Sequence, residues 1–500
     1  MQVSVPGFSQ LLGGPTFLGV NGNSRSVYAT SKTTIQPRVG IAYAFNDKTV
    51  LRGGFGESMR SPQNAPNSAG YSQSTSYLAN DPSYPGSVYP NLANQINNPY
   101  SSVLQPTGSS LGMLTQLGQG PWFLNPHYTI PSFWNYSVGL EQQILSHDVM
   151  NISYVGSRLY NGDSSDNINR ENYQAIEALN CNPDKGGIWE NCNNYNVPNP
   201  FQGISAFNGS GYYTASTING LNYSRPMPEW GDITEYQTNY YHTWYNSLQV
   251  DITHRWSNNL VLHGNWTWSK WMDSGGWQDT TFRVPYRGID GNDHTHNISV
   301  SGVYTLPFGR GRALLSNSNH LLDNLIGGWQ LGSLWKMTTG APITIDMYPL
   351  HSAYVKPHIQ KDNGYIRLVS ACVQQWEEST NGQGQTTYTM TPLQYDTDTT
   401  CSNGADFENI EQWMPNVNST FTARTLRWQQ FDANLSKNFA LGEGFHLQVR
   451  MEAFNALNHP VWNQGPDTNV QDATFGTVER GVWGQNNLPR QMQLSAKIFW

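Results

Sequence analysis

Charge is scarce in this chain. Only 12% of its 500 residues are Asp, Glu, Lys or Arg, about half the ~25% usual for soluble domains. Basic residues number 27 against 35 acidic ones, a net charge of −8. The basic stripe of a nucleic-acid binder is therefore missing, and nucleic acid is not expected as a partner. Long apolar runs are missing too, since no stretch approaches the roughly 18 residues a transmembrane helix needs. The four cysteines show no C-x-x-C spacing for a metal or redox centre. Met1–Gly14 lacks the basic n-region and apolar h-region of an export signal. What is plentiful is neutral polarity from Asn, Gln, Ser, Thr and Gly, together with aromatic residues at 13%. That combination excludes a helical membrane protein and leaves an all-β chain rich in turns.

The cysteines fall into two close pairs, Cys181 with Cys192 and Cys372 with Cys401, each in a segment full of turn residues. Two loop disulfides in an oxidising compartment are expected, although four cysteines allow three pairings.

Period-2 alternation dominates the pattern. Trp134, Tyr136, Val138, Leu140 and Ile144 alternate with Asn135, Ser137, Gly139, Glu141 and Gln143. Leu248, Val250 and Ile252 oppose Gln249, Asp251 and Thr253, and Phe445, Leu447, Val449 and Met451 oppose His446, Gln448, Arg450 and Glu452. Successive side chains of a strand point to opposite faces, so each segment has one oily and one polar face. Eleven strands are expected, at 36–45, 48–57, 133–145, 148–157, 243–256, 259–271, 295–306, 328–338, 427–440, 444–456 and 489–500. They average about 12 residues against the usual ~5–6, and a tilted strand needs ~9–11 to cross a bilayer.

The connections alternate in length. Asn46-Asp47, Ser146-His147, Ser257-Asn258 and Leu441-Gly442-Glu443 suit tight hairpins, whereas 58–132, 158–242, 272–294, 339–426 and 457–488 are long. The link 307–327 breaks the rule by being long on the short side. Short turns on one rim and long loops on the other belong to an outer-membrane barrel, and they would be anomalous in a compact soluble domain. The last strand alternates Met492, Leu494, Ala496 and Ile498 with polar residues and stops at Trp500, as a strand ending in an aromatic girdle should.

Several strings then resemble the TonB-dependent receptor-like barrels of the Oar-like group. They are Pro37-Arg38-Val39-Gly40-Ile41-Ala42-Tyr43 with Thr49-Val50-Leu51-Arg52-Gly53-Gly54-Phe55-Gly56, Tyr304-Thr305-Leu306-Pro307-Phe308-Gly309-Arg310-Gly311, Gly327-Gly328-Trp329-Gln330-Leu331, and Arg450-Met451-Glu452-Ala453-Phe454-Asn455-Ala456-Leu457-Asn458-His459-Pro460. The resemblance implies an antiparallel transmembrane β-barrel of about 22 strands preceded by a plug, of which this chain carries eleven. Residues 1–35 are expected to be the remnant of an extracellular loop, and 36–500 the C-terminal half of the barrel. Parity agrees: barrels have even strand numbers, and an open edge in lipid leaves unpaired backbone groups costing several kcal/mol each. The expectation is an incomplete, truncated barrel.

Candidate lumen-lining residues on the polar faces are Asp251, Arg255, Asp432, Asn434, Gln448, Arg450 and Glu452; candidate girdle residues are Trp134, Trp266, Trp268, Trp329 and Trp500. The run Asp290-Gly291-Asn292-Asp293-His294-Thr295-His296 carries oxygen and imidazole groups but lacks EF-hand order, and is read as a polar loop entering a strand, not a metal site. No G-x-G-x-x-G or Walker motif occurs and no cysteine stands isolated as a nucleophile, so neither catalysis nor a cofactor is implied. Loop aromatics such as Tyr212, Tyr213 and Trp230 fit packing between loops better than sugar binding. The resemblance implies a bacterial outer-membrane transporter with lipid around it. An inner-membrane energising complex would act through the missing plug, on an extracellular siderophore, oligosaccharide or peptide. A non-transporting adhesion or structural barrel, or a secreted carbohydrate-binding β protein, are the alternatives.

Overall fold

The eleven alternating segments form one antiparallel sheet in a computed structural model that describes residues 3–27, 34–60, 108–181, 191–192, 194–256, 259–274, 277–279, 284–285, 287–343, 348–349, 360–362, 365–367, 372–380, 386–394, 407–408, 424–442, 444–462, 465–467, 476–479 and 487–500. The strands are β1 Arg38–Asn46, β2 Thr49–Met59, β3 Ser132–Leu145, β4 Asp148–Gly162, β5 Tyr241–Trp256, β6 Leu260–Ser274, β7 His296–Thr305, β8 Gln330–Thr338, β9 Trp428–Gly442, β10 Phe445–Phe454 and β11 Gln491–Phe499. Each pairs with the next in sequence order, and Gly288–Ile289 adds a short twelfth strand to β6. Boundaries fall close to those the alternation predicts, with β4 running five residues beyond its expected end at 157. Among the described residues β1 and β11 each have a strand partner on one side only, so the sheet is open. This is an incomplete barrel.

Register carries the alternation from strand to strand. Leu140 lies opposite Leu51 and Ile152, Trp266 opposite Val250 and Ile298, and Met451 opposite Leu435 and Leu494. One face of the sheet is therefore mainly aliphatic and aromatic, interrupted by a few polar residues such as Asn246, Lys270 and Lys437, and among the described residues much of it is uncovered: Val138 is 50% exposed and Leu494 76%. Ten such side chains left to water would forfeit roughly 15–30 kcal/mol of burial, more than a domain's ~5–15 kcal/mol of net stability. Hydrocarbon removes that cost. From Trp134 to Ile144 the face runs ten residue steps along β3, roughly 33 Å of strand, or about 25 Å of height at the ~40° tilt of barrel strands, which matches their apolar band.

Neighbouring strands also interlock. The Tyr136 ring lies across Gly156, where an added Cβ would meet it at 2.2 Å, so glycine is required there. The ring's hydroxyl donates to Asn246 Oδ1 at 2.9 Å, and the Tyr154 hydroxyl donates to the same oxygen at 2.6 Å.

A second compact unit comprises Met1–Thr33, Ser61–Pro131 and Asn161–Asn239. A division at residue 35 does not anticipate it, because residues 3–27 pack together with loop segments far along the chain. Val5, Leu11, Leu117, Phe201, Phe207, Ile218, Trp230 and Ile233 form its core. Phe201 stacks on Tyr212 with centroids 5.2 Å apart. Trp230, with Tyr212 and Tyr213 packed nearby, is consumed by this core, so these loop aromatics pack loops together. Regular ladders are short here, so asparagine side chains satisfy the backbone instead. Asn169, fully buried, donates to the carbonyls of Met227 and Gly231, both at 2.9 Å, and accepts from the Met227 amide at 2.9 Å. Asn199 donates to Tyr212 and Ala215 carbonyls, both at 2.7 Å. A disulfide joins Cys181 to Cys192 beside Ile176 and Leu221; Cys401 lies outside the described residues, and of Cys372 only the backbone is described, at the start of the strand Cys372–Thr380.

Glu229 is the exception in this core. It is fully buried, and neither carboxylate oxygen accepts a hydrogen bond of good geometry among the described residues. Burial pushes its carboxyl above the ordinary range, partly offset by the nearby amides of Glu229 and Leu12.

Two expectations follow from these faces and this core. Val138→Arg, on the apolar face near mid-strand, should cost about 2–4 kcal/mol and block membrane assembly, whereas Asn265→Lys on the opposite face should assemble normally; heat-modifiable gel migration of the membrane fraction reads both. For Glu229, a raised folded pKa means that the folded unit holds its proton more tightly than the unfolded chain. Its stability should therefore be greatest below the unfolded carboxyl's pKa and decline as pH rises through the folded value. Glu229→Gln should flatten that decline and stabilise the unit at neutral pH by about 1 kcal/mol or more, measured as protease resistance across a pH series.

Candidate functional site

The face opposite the apolar one gathers most of the polar positions of the strands. Arg52 of β2 reaches Glu141 of β3, Nε to Oε2 3.3 Å. On β5 and β6, His263 Nε2 lies 3.3 Å from Asp251 Oδ2, and its Nδ1 lies 3.2 Å from Thr253 Oγ1. Further round, Leu334 pairs with Asp432, Asn434 with Glu452, and Ser436 with Arg450. Period 2 alone puts these side chains together, because each partner across the ladder shares a face.

Four of the seven candidate residues meet at one place. Asp432, Asn434, Arg450 and Glu452 line a cavity of about 390 Å³ with His263 and Ser301. Arg450 Nη2 lies 2.6 Å from Glu452 Oε1, and Gln493 Nε2 donates to the other Glu452 oxygen. Asp432 accepts from Gln430 Nε2 at 2.9 Å and from the Asn455 amide at 2.8 Å. The Asn434 side chain rests over Gly332, where a Cβ would meet its Nδ2 at 2.4 Å. The cavity offers hydrogen-bond donors and acceptors together with side chains of both charge signs.

The other candidates lie elsewhere. Asp251 sits beside the cavity through His263. Gln448, which donates to Asn438 Oδ1 at 3.1 Å, and Arg255 lie close to the short-turn ends of β10 and β5. His263, Ser301, Gln430 and Gln493 were not singled out from sequence, although strand parity puts each on this face. Of the tryptophans, Trp134 stands at the long-loop end of β3, Trp266 and Trp268 at the middle of β6, and Trp329 and Trp500 at the short-turn ends of β8 and β11. Trp268 is 52% exposed and Trp500 90%. Trp266 instead stacks on His296, its Nε1 donating to Nδ1 at 3.2 Å.

The string ending in Asn-His-Pro acquires a structural meaning. Asn455 and Asn458 adopt positive φ, 48° and 52°. Asn455 Nδ2 donates to the carbonyls of His459 and Leu488, both at 3.1 Å. The corner so formed holds the amide that fixes Asp432. In the run 290–296, Asp293 accepts from the Trp271 amide at 2.6 Å and pairs with Arg424, while Asp290 accepts from the Asn292 amide at 2.8 Å. These oxygens shape the entry to β7, and among the described residues no group of three His, Cys, Asp or Glu is placed to hold a metal ion.

A family model described as an outer membrane beta barrel domain matches residues 3–493. No curated protein matches. Among solved structures, the ferripyoverdine receptor of the outer membrane of Pseudomonas aeruginosa bound to ferripyoverdine is 8% identical at a TM-score of 0.35, over 93% of this chain and 32% of that one. The siderophore receptor PirA from Acinetobacter baumannii is 8% identical at 0.36, over 93% and 40%. The outer membrane transporter YddB from Escherichia coli is 10% identical at 0.34, over 91% and 39%. The chain thus spans about a third to two-fifths of the length of these receptors.

The hydrogen bonds of Asp432 make it the structural member of the site. Asp432→Ala should strand the Asn455 amide and cost about 1–3 kcal/mol, whereas Arg450→Ala, losing a partly exposed ion pair, should cost less than about 1 kcal/mol. Urea midpoints in detergent micelles should rank the two in that order.

Proposed function

Because the chain belongs to the outer membrane beta barrel domain family and resides in the outer membrane, we propose that it is the C-terminal barrel portion of a TonB-dependent receptor-like transporter. The observation that carries this reading is the pairing of an uncovered apolar face with a polar, cavity-bearing face on the same strands. The polar face would line the lumen, with Asp432, Asn434, Arg450, Glu452 and Asp251 along the solute's path. The tryptophans at either end of the strands would form the two girdles. Hydrogen-bonding groups of both signs favour a polar solute. Siderophores, oligosaccharides and peptides all fit that description. Energy would come from an inner-membrane complex pulling on a plug supplied by sequence beyond these residues.

The test is genetic. Deleting the whole gene in its native host should lower energy-dependent uptake of one class of polar nutrient by about tenfold or more. Restoring the gene with Arg450→Glu, which adds a third acid beside Glu452 and Asp432, should leave outer-membrane abundance unchanged and uptake low. Normal uptake of iron complexes, oligosaccharides and peptides in the deletion strain, with the protein abundant in the wild type, would instead identify a structural or adhesive barrel.

A further inference from the structure

The link between β7 and β8 is the only short-side connection that contains a helix among the described residues. Asn319 caps it, its side chain accepting from the Leu322 amide at 2.8 Å, and the helix runs His320–Ile326. Asp323 Oδ1 accepts from the Arg310 amide at 2.6 Å and so ties the incoming loop to the first turn. Leu321 and Leu325, one turn apart on the same side, are 83% and 67% exposed. Leucines so uncovered need a cover.

A lysine on the sheet shows on which side of the wall that cover lies. Lys437 of β9 lies between Leu435 and Phe439 on the apolar face, opposite Val449. A bare ammonium there would face hydrocarbon at a heavy cost. It is buried instead, donating to the Asn324 carbonyl at 2.5 Å and the Asp323 carbonyl at 3.4 Å. The Asn324 carbonyl belongs to the helix's last turn, where carbonyls lack intrahelical partners and carry the negative end of the dipole, while the Asp323 carbonyl also accepts from the Gly327 amide at 2.8 Å. The ammonium also lies 4.8 Å from the Phe439 ring centre and 5.9 Å from that of Trp329. Trp329 Nε1 in turn donates to the Leu325 carbonyl at 3.0 Å. These contacts fasten the helix to the outer, lipid-facing side of the wall at the short-turn rim.

We propose that His320–Ile326 is an interfacial anchor. It lies at the headgroup–acyl boundary of the leaflet on the short-turn side, with Leu321 and Leu325 inserted among the lipid chains. Its apolar side continues the lipid-facing band through Leu331 and Phe439, and Arg310 and Arg312 of the same link, against Asp323, supply positive charge at phosphate level. The anchor would set the depth at which this part of the wall rides, with Lys437 as the rivet. The inference rests on the barrel reading above.

The experiment uses the full chain in vesicles of phosphatidylethanolamine and phosphatidylglycerol, carrying an environment-sensitive fluorophore on Leu321→Cys, on Leu325→Cys, or on Val138→Cys in the barrel wall. Interfacial helices sit ~5–10 Å into the headgroup–acyl boundary, so the first two labels should lose about half their emission to lipids brominated near the carbonyl and less to lipids brominated near the chain end. The Val138 label should show the opposite ranking. A water-like, iodide-accessible label at Leu321 beside a lipid-quenched one at Val138 would overturn the anchor alone. So would shielding of Leu321 that appears only when periplasmic protein is added. Labels untouched by lipid at all three positions would overturn the barrel reading itself.

Discussion

Wherever water is excluded, every backbone N–H and C=O has to find another partner, and the molecule meets that demand in two ways. In the sheet the ladders do it, strand to next strand from β1 to β11, which is what permits the face bearing Val138 and Leu494 to meet hydrocarbon. In the loop-built unit, the ladders among the described residues are only three residues long, and side chains take over. Asn169 and Asn199 each bond several backbone groups, and Asn239 ties Thr129 to Asn161. The abundance of asparagine is the mark of loops that fold around a core of their own.

The same constraint governs the polar residues stranded on the apolar face. Asn246 is capped by two tyrosine hydroxyls from β3 and β4. Lys437 is capped by the end of a helix and two aromatic rings. Neither is left to lipid, and each compensation joins elements that the hydrophobic pattern would not by itself have brought together. On the opposite face no such capping is needed. There Arg450, Glu452, Asp432 and Asn434 form an ordinary polar network around a cavity, with exposed ion pairs worth little to stability.

Strand number, order and facing were legible in the amino-acid sequence because a period of two has only two outcomes, and a long run such as Trp134–Ile144 or Phe445–Ala453 leaves no doubt between them. That reasoning also put Asp432, Asn434, Arg450 and Glu452 on one face. It could not tell that these four share a cavity while Arg255 and Gln448 stand apart, since position along the barrel depends on how each strand is staggered against its neighbours. His263 and Ser301 carried the right parity but no distinctive residue pattern around them.

Composition and alternation, acting through local backbone geometry, determined that this would be a wall of long amphipathic strands joined by short turns on one rim and long links on the other. Tertiary structure alone decided what the long links do. Val5 and Leu11 find Phe201 and Trp230 across most of the described loop sequence, and the Asp323 and Asn324 carbonyls find Lys437 more than a hundred residues away. Such meetings have no periodicity to announce them. They depend on where the chain returns in space, which no local pattern of residues encodes.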